Sequence, residues 1–396
     1  MKKLHLFFKP CLAALLLYSS MPMLAAEKPQ GSNPYAKWEH GPGQDPNFFP
    51  IAVWLQSPSK AEQYRKAGIN TYVGLWKGPS EEQLATLKKA GMKLICHQNS
   101  VGLQHLDDPT IIGWMHGDEP DNAQSLPQGK GYGPPIPPAK IVEGYGKVRA
   151  ADPSRPVLLN MGQGVAWDNY IGRGVRRNHP EDYPEYMKGA DIVSFDIYPA
   201  VHDSKEIAGN LWYVPKGVER LVNWSKGEKV VWNCLECTHI SNVAKKATPR
   251  QLRAEAWMSL IHGSRGLIYF VHQFKPVFRE AALLDDPEML QAATELNHQI
   301  ASLAPVLNSP PLAAKATVDS SNAEVPIATM IKAHSGATYL FAAAMRDGKT
   351  NAKFALPGIA GAQTISVIGE NRELKAKDGV FTDDFAAWDV HLYKMR

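Results

Sequence analysis

Cysteine is scarce in this chain, with four residues in 396. Cys11 lies in a leader-like segment, which leaves Cys96, Cys234 and Cys237, an odd number that cannot pair completely. Cys234 and Cys237 have CxxC spacing. They fall, however, within one apolar, strand-like run over 229–238, where positions three apart face opposite ways. Buried structural thiols are expected there, not a redox pair. Net charge is also small: the formal +4 falls to +1 without Lys2, Lys3 and Lys9. That balance gives no bulk attraction for nucleic acid or for a membrane surface. No apolar run is long enough to span a bilayer. HExxH, Walker A and EF-hand patterns are missing and the histidines show no ligand spacing, so neither a metal nor a cofactor is expected.

The N-terminus has the three parts of a secretory leader: a basic start, a short apolar core over 11–17 and small residues ending at Ala25-Ala26. Cleavage near Ala26 and a secreted or periplasmic destination are expected, with no membrane association afterwards. Cys11 lacks the small residue that precedes a lipoprotein cysteine, so a lipid anchor is the weaker reading.

A polar linker over 27–47 is followed by a regular alternation of apolar and amphipathic runs. Strands are predicted over 49–55, 69–76, 92–97, 111–117, 156–161, 191–198, 229–235 and 266–271. Helices are predicted over 60–67, 81–90, 139–151, 213–225, 249–262 and 287–304. Strand–helix repetition of this kind makes a parallel sheet, and eight repeats close it into a (β/α)8 barrel, assigned to residues 48–308. From residue 309 to 396 the runs shorten and alternate, with turn residues such as Arg346-Asp347-Gly348 between them. This predicts a small C-terminal antiparallel β-sandwich with a docking or stabilising role.

In a parallel barrel the chemistry collects at the C-terminal ends of the strands. The richest end is 111–120, Ile-Ile-Gly-Trp-Met-His-Gly-Asp-Glu-Pro: an apolar strand closing on two carboxylates, with Pro120 stopping the ladder. Crowded, half-buried carboxyls hold their protons to higher pH, and a protonated acid is what departure of a glycosidic leaving group requires. Glu119 is therefore the candidate acid. Glu236, ending the seventh strand, is expected to face it across the mouth as the second carboxylate. Candidate substrate-binding residues are Asp118, Asn99, Asn160, Asp196, Tyr198 and His272, with Trp54, Trp76 and Trp167 as stacking platforms for sugar faces. Long loops over 120–138 and 163–184 are expected to shape the binding surface. The second carries Arg173, Arg176 and Arg177, which suit either a solvated cluster or an acidic polysaccharide.

Asp118-Glu119-Pro120 ending strand four, with Glu236 ending strand seven, resembles the clan A glycoside hydrolases over roughly residues 45–305. The resemblance implies a retaining glycosidase with Glu119 as acid/base, Glu236 as nucleophile and a carbohydrate substrate; Tyr198 would take the place of a tyrosine that touches the nucleophile. Two positions depart from that pattern. Asp118 stands where the clan has Asn, and His272-Gln273 where strand eight normally ends in Trp. Asp118 also fits a substrate-assisted N-acetylhexosaminidase, in which an Asp orients the acetamido group and Glu119 remains the acid. A third reading is a catalytically silent carbohydrate-binding barrel.

Overall fold

The computed structural model describes residues 33–395, apart from 44, 311, 313 and 314. The expected leader and the first part of the linker lie outside the described residues. The alternation does form a barrel. Its strands are β1 (Ile51–Trp54), β2 (Thr71–Val73), β3 (Lys93–Cys96), β4 (Ile111–Met115), β5 (Val157–Met161) and β6 (Ile192–Phe195). The seventh, β7, is split into Val230–Val231 and Asn233–Glu236, and β8 is Leu267–Phe270. All neighbours are parallel, and β8 pairs with β1 (Ala52 opposite Ile268). The first half of β7 pairs with β6 and the second half with β8, so the ring closes across the interruption at Trp232.

Both faces of each strand are buried, which is why the strands read as continuous apolar runs and not as alternating ones. Ala52, Trp54, Ile95, Ile112, Leu158 and Cys234 belong to one cluster inside the barrel. Ile51, Val53, Leu94, Trp114 and Leu235 belong to another, beneath the helices. The main helices are α1 (Ala61–Lys66), α2 (Glu81–Lys89), α4 (Pro138–Ala151), α6 (Tyr213–Trp224), α7 (Pro249–Ile261) and α8 (Pro287–Ser302). Capping boxes start two of them, Ser80 with Gln83 on α2 and Thr248 with Gln251 on α7, satisfying first-turn amides that would otherwise lack partners. Short α3 (Ser100–Gln104), α5 (Tyr183–Met187) and α9 (Ala304–Leu307) are the remaining α-helices among the described residues.

The stretch that composition reads as linker is packed where it is described. Tyr35 and Trp38 are buried. The Tyr35 hydroxyl donates to the Arg265 carbonyl at 2.8 Å and accepts from Trp232 Nε1 at 2.7 Å. Arg265 precedes β8, so this segment seals the floor of the barrel, opposite the strand ends that carry the candidate site residues.

The C-terminal region is one antiparallel sheet of eight strands: β9 (Thr317–Ser320), β10 (Ile327–His334), β11 (Ala337–Ala344), β12 (Thr350–Ala355), β13 (Ala362–Val367), β14 (Arg372–Lys377), β15 (Val380–Phe385) and β16 (Val390–Met395). It encloses its own core around Leu340, Phe354, Phe381 and Tyr393. The opposite side of β11 packs on α7, where Phe341 stacks on Trp257 with ring centroids 5.3 Å apart.

Lys332 of β10 is 1% exposed and donates to the Ser309 carbonyl at 2.5 Å. Burial and the nearby Arg265 charge lower it to about 7. The unfolded chain keeps this proton up to the ordinary lysine range, whereas the folded chain sheds it from about 7 upward, so stability rises with pH between those limits. Lys332→Met should therefore stabilise the protein at pH 6 by ~2–4 kcal/mol. The difference in melting temperature from the parent should shrink towards pH 10; a gap independent of pH would refute the assignment.

Candidate active site

Glu119 sits just beyond β4 in the left-handed region, φ 43°, a conformation that costs a non-glycine residue energy and collects at functional sites. Its amide donates to the Asn160 carbonyl at the end of β5 (3.1 Å), and its carbonyl accepts from Asn122 (3.1 Å). The backbone is thus clamped while the half-buried side chain turns to the mouth of the barrel. Gly162 makes the turn possible. A Cβ there would lie 2.9 Å from Glu119 Oε1 and 2.7 Å from the Asn122 amide atoms. Gly162→Ala should reduce kcat about 10- to 100-fold by displacing the carboxyl, with only a small change in melting temperature. Steady-state kinetics beside thermal melting would check this, and wild-type kcat would refute it.

The Glu119 carboxyl meets Asp196, which follows β6. The two carboxyls are close enough to influence each other's proton directly. Burial, the Asp196 charge and the charges of Asp118 and Asp121 push Glu119 far above the usual carboxylate range. Asp196 rises less, to about 7, because burial is countered by the Glu119 hydrogen bond and by Tyr198 beside it. Of the two, Glu119 is pushed the higher by its acidic surroundings. Asp118 reaches the surface at the rim, and its carboxyl accepts from Asn160 Nδ2 at 2.9 Å. Asn160 in turn accepts from Ser194 at 2.8 Å, tying the ends of β4, β5 and β6 together. The structure thus brings together five residues singled out from the sequence: Asp118, Glu119, Asn160, Asp196 and Tyr198.

Glu236 requires a correction to the expected face-to-face arrangement. It is fully buried and accepts from the Ala200 amide at 2.6 Å and the Val201 amide at 3.0 Å. Its carboxyl neighbour is Glu255 of α7, itself fully buried, and burial raises both. Glu236 therefore braces the loop that carries Asp196 and Tyr198, where it was expected to look across at Glu119.

The other expected residues divide. Trp167 stands near the mouth with its ring 5.7 Å from Tyr170 and 5.4 Å from His202; its Nε1 is buried without a protein partner, as is Asp196 Oδ1. Trp76 is 71% exposed on the loop after β2. Trp54, at the end of β1, is packed inside the barrel with 6% of its surface exposed. Asn99 is a helix cap: its side chain accepts from Gly102 at 2.8 Å and donates to the Pro79 carbonyl at 2.8 Å. His272 is buried beside Gln56 (3.2 Å) and covered by Phe270, Phe274 and Phe278. Arg173 and Arg176 are both consumed by Asp182, at 2.7 and 2.5 Å, which leaves Arg177 exposed.

Two residues near the pair were not among the expected site residues, although Tyr170 belongs to the long loop over 163–184. Tyr170 has its hydroxyl raised by burial and by the charges of Glu119, Asp196 and Asp121, which places it beside the pair. Asp121 is fully buried, accepting from the Gly162 amide at 2.9 Å and the Tyr183 hydroxyl at 3.0 Å. The signal for Asp121 was its place two residues beyond Glu119, on the far side of a rigid proline.

No protein-family model and no curated protein matches the sequence. Solved structures do match in three dimensions. The α-amylase of Anoxybacillus aligns with 89% of this chain and 99% of its own, at TM-score 0.52 and 10% identity. The maltogenic α-amylase AmyB of Thermotoga neapolitana aligns with 88% of this chain and 99% of its own, at TM-score 0.51 and 10% identity. What this chain shares with them is the (β/α)8 barrel fold. Within this fold the carboxyl pair lies at the C-terminal ends of β4 and β6, the end at which such barrels hold their active sites.

Proposed function

We propose that the protein is a glycoside hydrolase acting on a poly- or oligosaccharide by double displacement, with Glu119 as acid/base and Asp196 as nucleophile. The observation that carries this reading is the pair of interacting carboxyls just beyond β4 and β6 at the barrel mouth. Glu119 holds the proton needed by the leaving oxygen, and Asp196 supplies the charge that faces the developing oxocarbenium ion. Retaining enzymes keep their carboxyls ~5–5.5 Å apart and inverting ones ~6.5–9.5 Å. A pair in contact before substrate enters is nearer the retaining spacing. Asp196 attacks the anomeric carbon as Glu119 protonates the departing oxygen. Glu119, now ionised, then takes a proton from the water that releases the sugar. Asp118 lies exposed at the rim, where a sugar hydroxyl can reach it, held by the buried Asn160 beneath, and Trp167 and Tyr170 wall the same side.

The test is a broad panel of oligosaccharides and aryl glycosides, with the anomer of the first product followed by NMR. Retention supports double displacement. Inversion would remove Asp196 as nucleophile, and activity confined to N-acetylated sugars would move the nucleophile to the substrate. Glycan binding with no product at all would leave a carbohydrate-binding barrel.

A further inference from the structure

The exposed apolar side chains of this protein are not scattered. Among the described residues eleven large hydrophobic side chains are exposed, and nine lie on loops that follow barrel strands. Trp76 follows β2, Leu126 and Tyr132 follow β4, and Ile171 and Val175 follow β5. Val243 follows β7, and Phe274, Val277 and Phe278 follow β8. In a closed parallel barrel all such loops emerge at one end, so these side chains surround the Glu119–Asp196 mouth. Soluble proteins rarely gather so much exposed apolar surface unless something covers it.

Charge accompanies each group. Exposed Lys77 adjoins Trp76, Lys130 lies two residues before Tyr132, Arg177 two after Val175, Lys245 two after Val243, and Lys275 adjoins Phe274. None of these five forms an ion pair among the described residues. Several acids on the same loops are already engaged: Asp168 with Arg220, Asp182 with Arg173 and Arg176, Asp285 with Arg279, and Asp286 with Lys246. Asp118 stays at the mouth itself.

Three occupants can be weighed against this pattern. Sugar rings stack on aromatic faces, but Leu126, Ile171, Val175, Val243 and Val277 offer none. A second copy meeting face to face would set five cations against five. An anionic amphiphile surface satisfies both features, because apolar side chains enter the acyl boundary while neighbouring lysines and arginines meet the headgroups.

We propose that the catalytic face docks peripherally on anionic lipid surfaces and presents the Glu119–Asp196 site to glycosides whose aglycone is embedded in lipid. The substrate class rests on the glycosidase reading; the docking does not. No helix among the described residues is long and apolar enough to cross a membrane, so attachment is through side chains of loops.

The test is co-sedimentation of the full chain with vesicles of phosphatidylcholine containing one third phosphatidylglycerol, against vesicles of phosphatidylcholine alone. Binding should require the anionic lipid and weaken in high salt. Lys77→Gln with Lys245→Gln should weaken it roughly fivefold per residue. A Val175→Ser, Val243→Ser, Val277→Ser variant should bind at least about tenfold more weakly while keeping its melting temperature and its turnover of a small soluble glycoside. Absence of binding, or binding untouched by the serine variant, overturns the proposal. So does a serine variant whose loss appears in self-association or in retention on an insoluble glycan instead. Glu119→Gln should bind vesicles like the parent. If vesicles bind but no glycoside is cleaved, the docking stands and the glycosidase reading fails.

Discussion

Glu119→Gln should lower kcat on glycosides with poor leaving groups by ~10²–10⁴-fold, the usual contribution of a positioned general acid. The substitution preserves size and the backbone clamp to Asn160, so the melting temperature should barely move. The loss should depend on the leaving group. Dinitrophenyl glycosides depart without a proton, and their first bond-breaking step should be nearly normal in the variant. Burst kinetics with dinitrophenyl and alkyl substrates would measure the contrast. An alkyl glycoside hydrolysed within tenfold of the parent rate would remove Glu119 from the acid role.

Asp196→Asn should be at least as damaging, and it separates the two candidate partners. An amide cannot form the covalent intermediate, so turnover should fall ~10³-fold or more. Asp196→Gly should regain turnover with azide and release a glycosyl azide of configuration opposite to the substrate. Glu236→Gln should keep activity within about tenfold and register instead as lost stability, ~1–3 kcal/mol, because a buried acceptor of two amides is compromised. If azide rescues Glu236→Gly and not Asp196→Gly, the nucleophile is Glu236. The same assignment sets a pH dependence. Asp196 must be ionised to attack, and burial with the charges of Asp118 and Asp121 raises it to about 7. The parent kcat/KM should therefore decline on the acid side of about 7, as the pair takes up its second proton.

The barrel was legible because its strands are buried on both faces and its helices carry explicit caps. Seven of the eight strands lie within the predicted runs; β7 is interrupted at Trp232 and ends one residue beyond its run, at Glu236. What escaped were elements without an apolar pattern of their own. Helix α3 has five residues, Ser-Val-Gly-Leu-Gln, with only Gly102 buried, and is held by the cap of Asn99. Strand β14, Arg-Glu-Leu-Lys-Ala-Lys, is charged enough to read as a loop and becomes a strand through its pairing with β13.

The site was legible to the extent that strand ends converge. Asp118, Glu119, Asn160, Asp196 and Tyr198 end neighbouring strands and therefore meet. The direction of Glu236 was not legible, because it depends on contacts far from it in sequence: the amides of Ala200 and Val201 and a second buried carboxyl on α7. The packing of Trp54 and the capping role of Asn99 were illegible for a related reason. Depth below the mouth and the satisfaction of a nearby helix are properties of the folded chain, and a strand-end position does not encode them.

The hydrogen-bonded floor has a kinetic meaning. Tyr35 and Arg265 are 230 residues apart in the chain, yet one bond joins them. The segment around Tyr35 leaves the ribosome early and cannot lock until β7 and β8 exist to receive it. A nascent barrel must therefore remain open-ended through most of its synthesis, with its inner apolar strands exposed at the lower rim. Contacts this distant in sequence form late and slowly, and such intermediates are prone to aggregate. Removing residues up to Trp38 should leave the carboxyl pair untouched and the yield of folded protein sharply reduced.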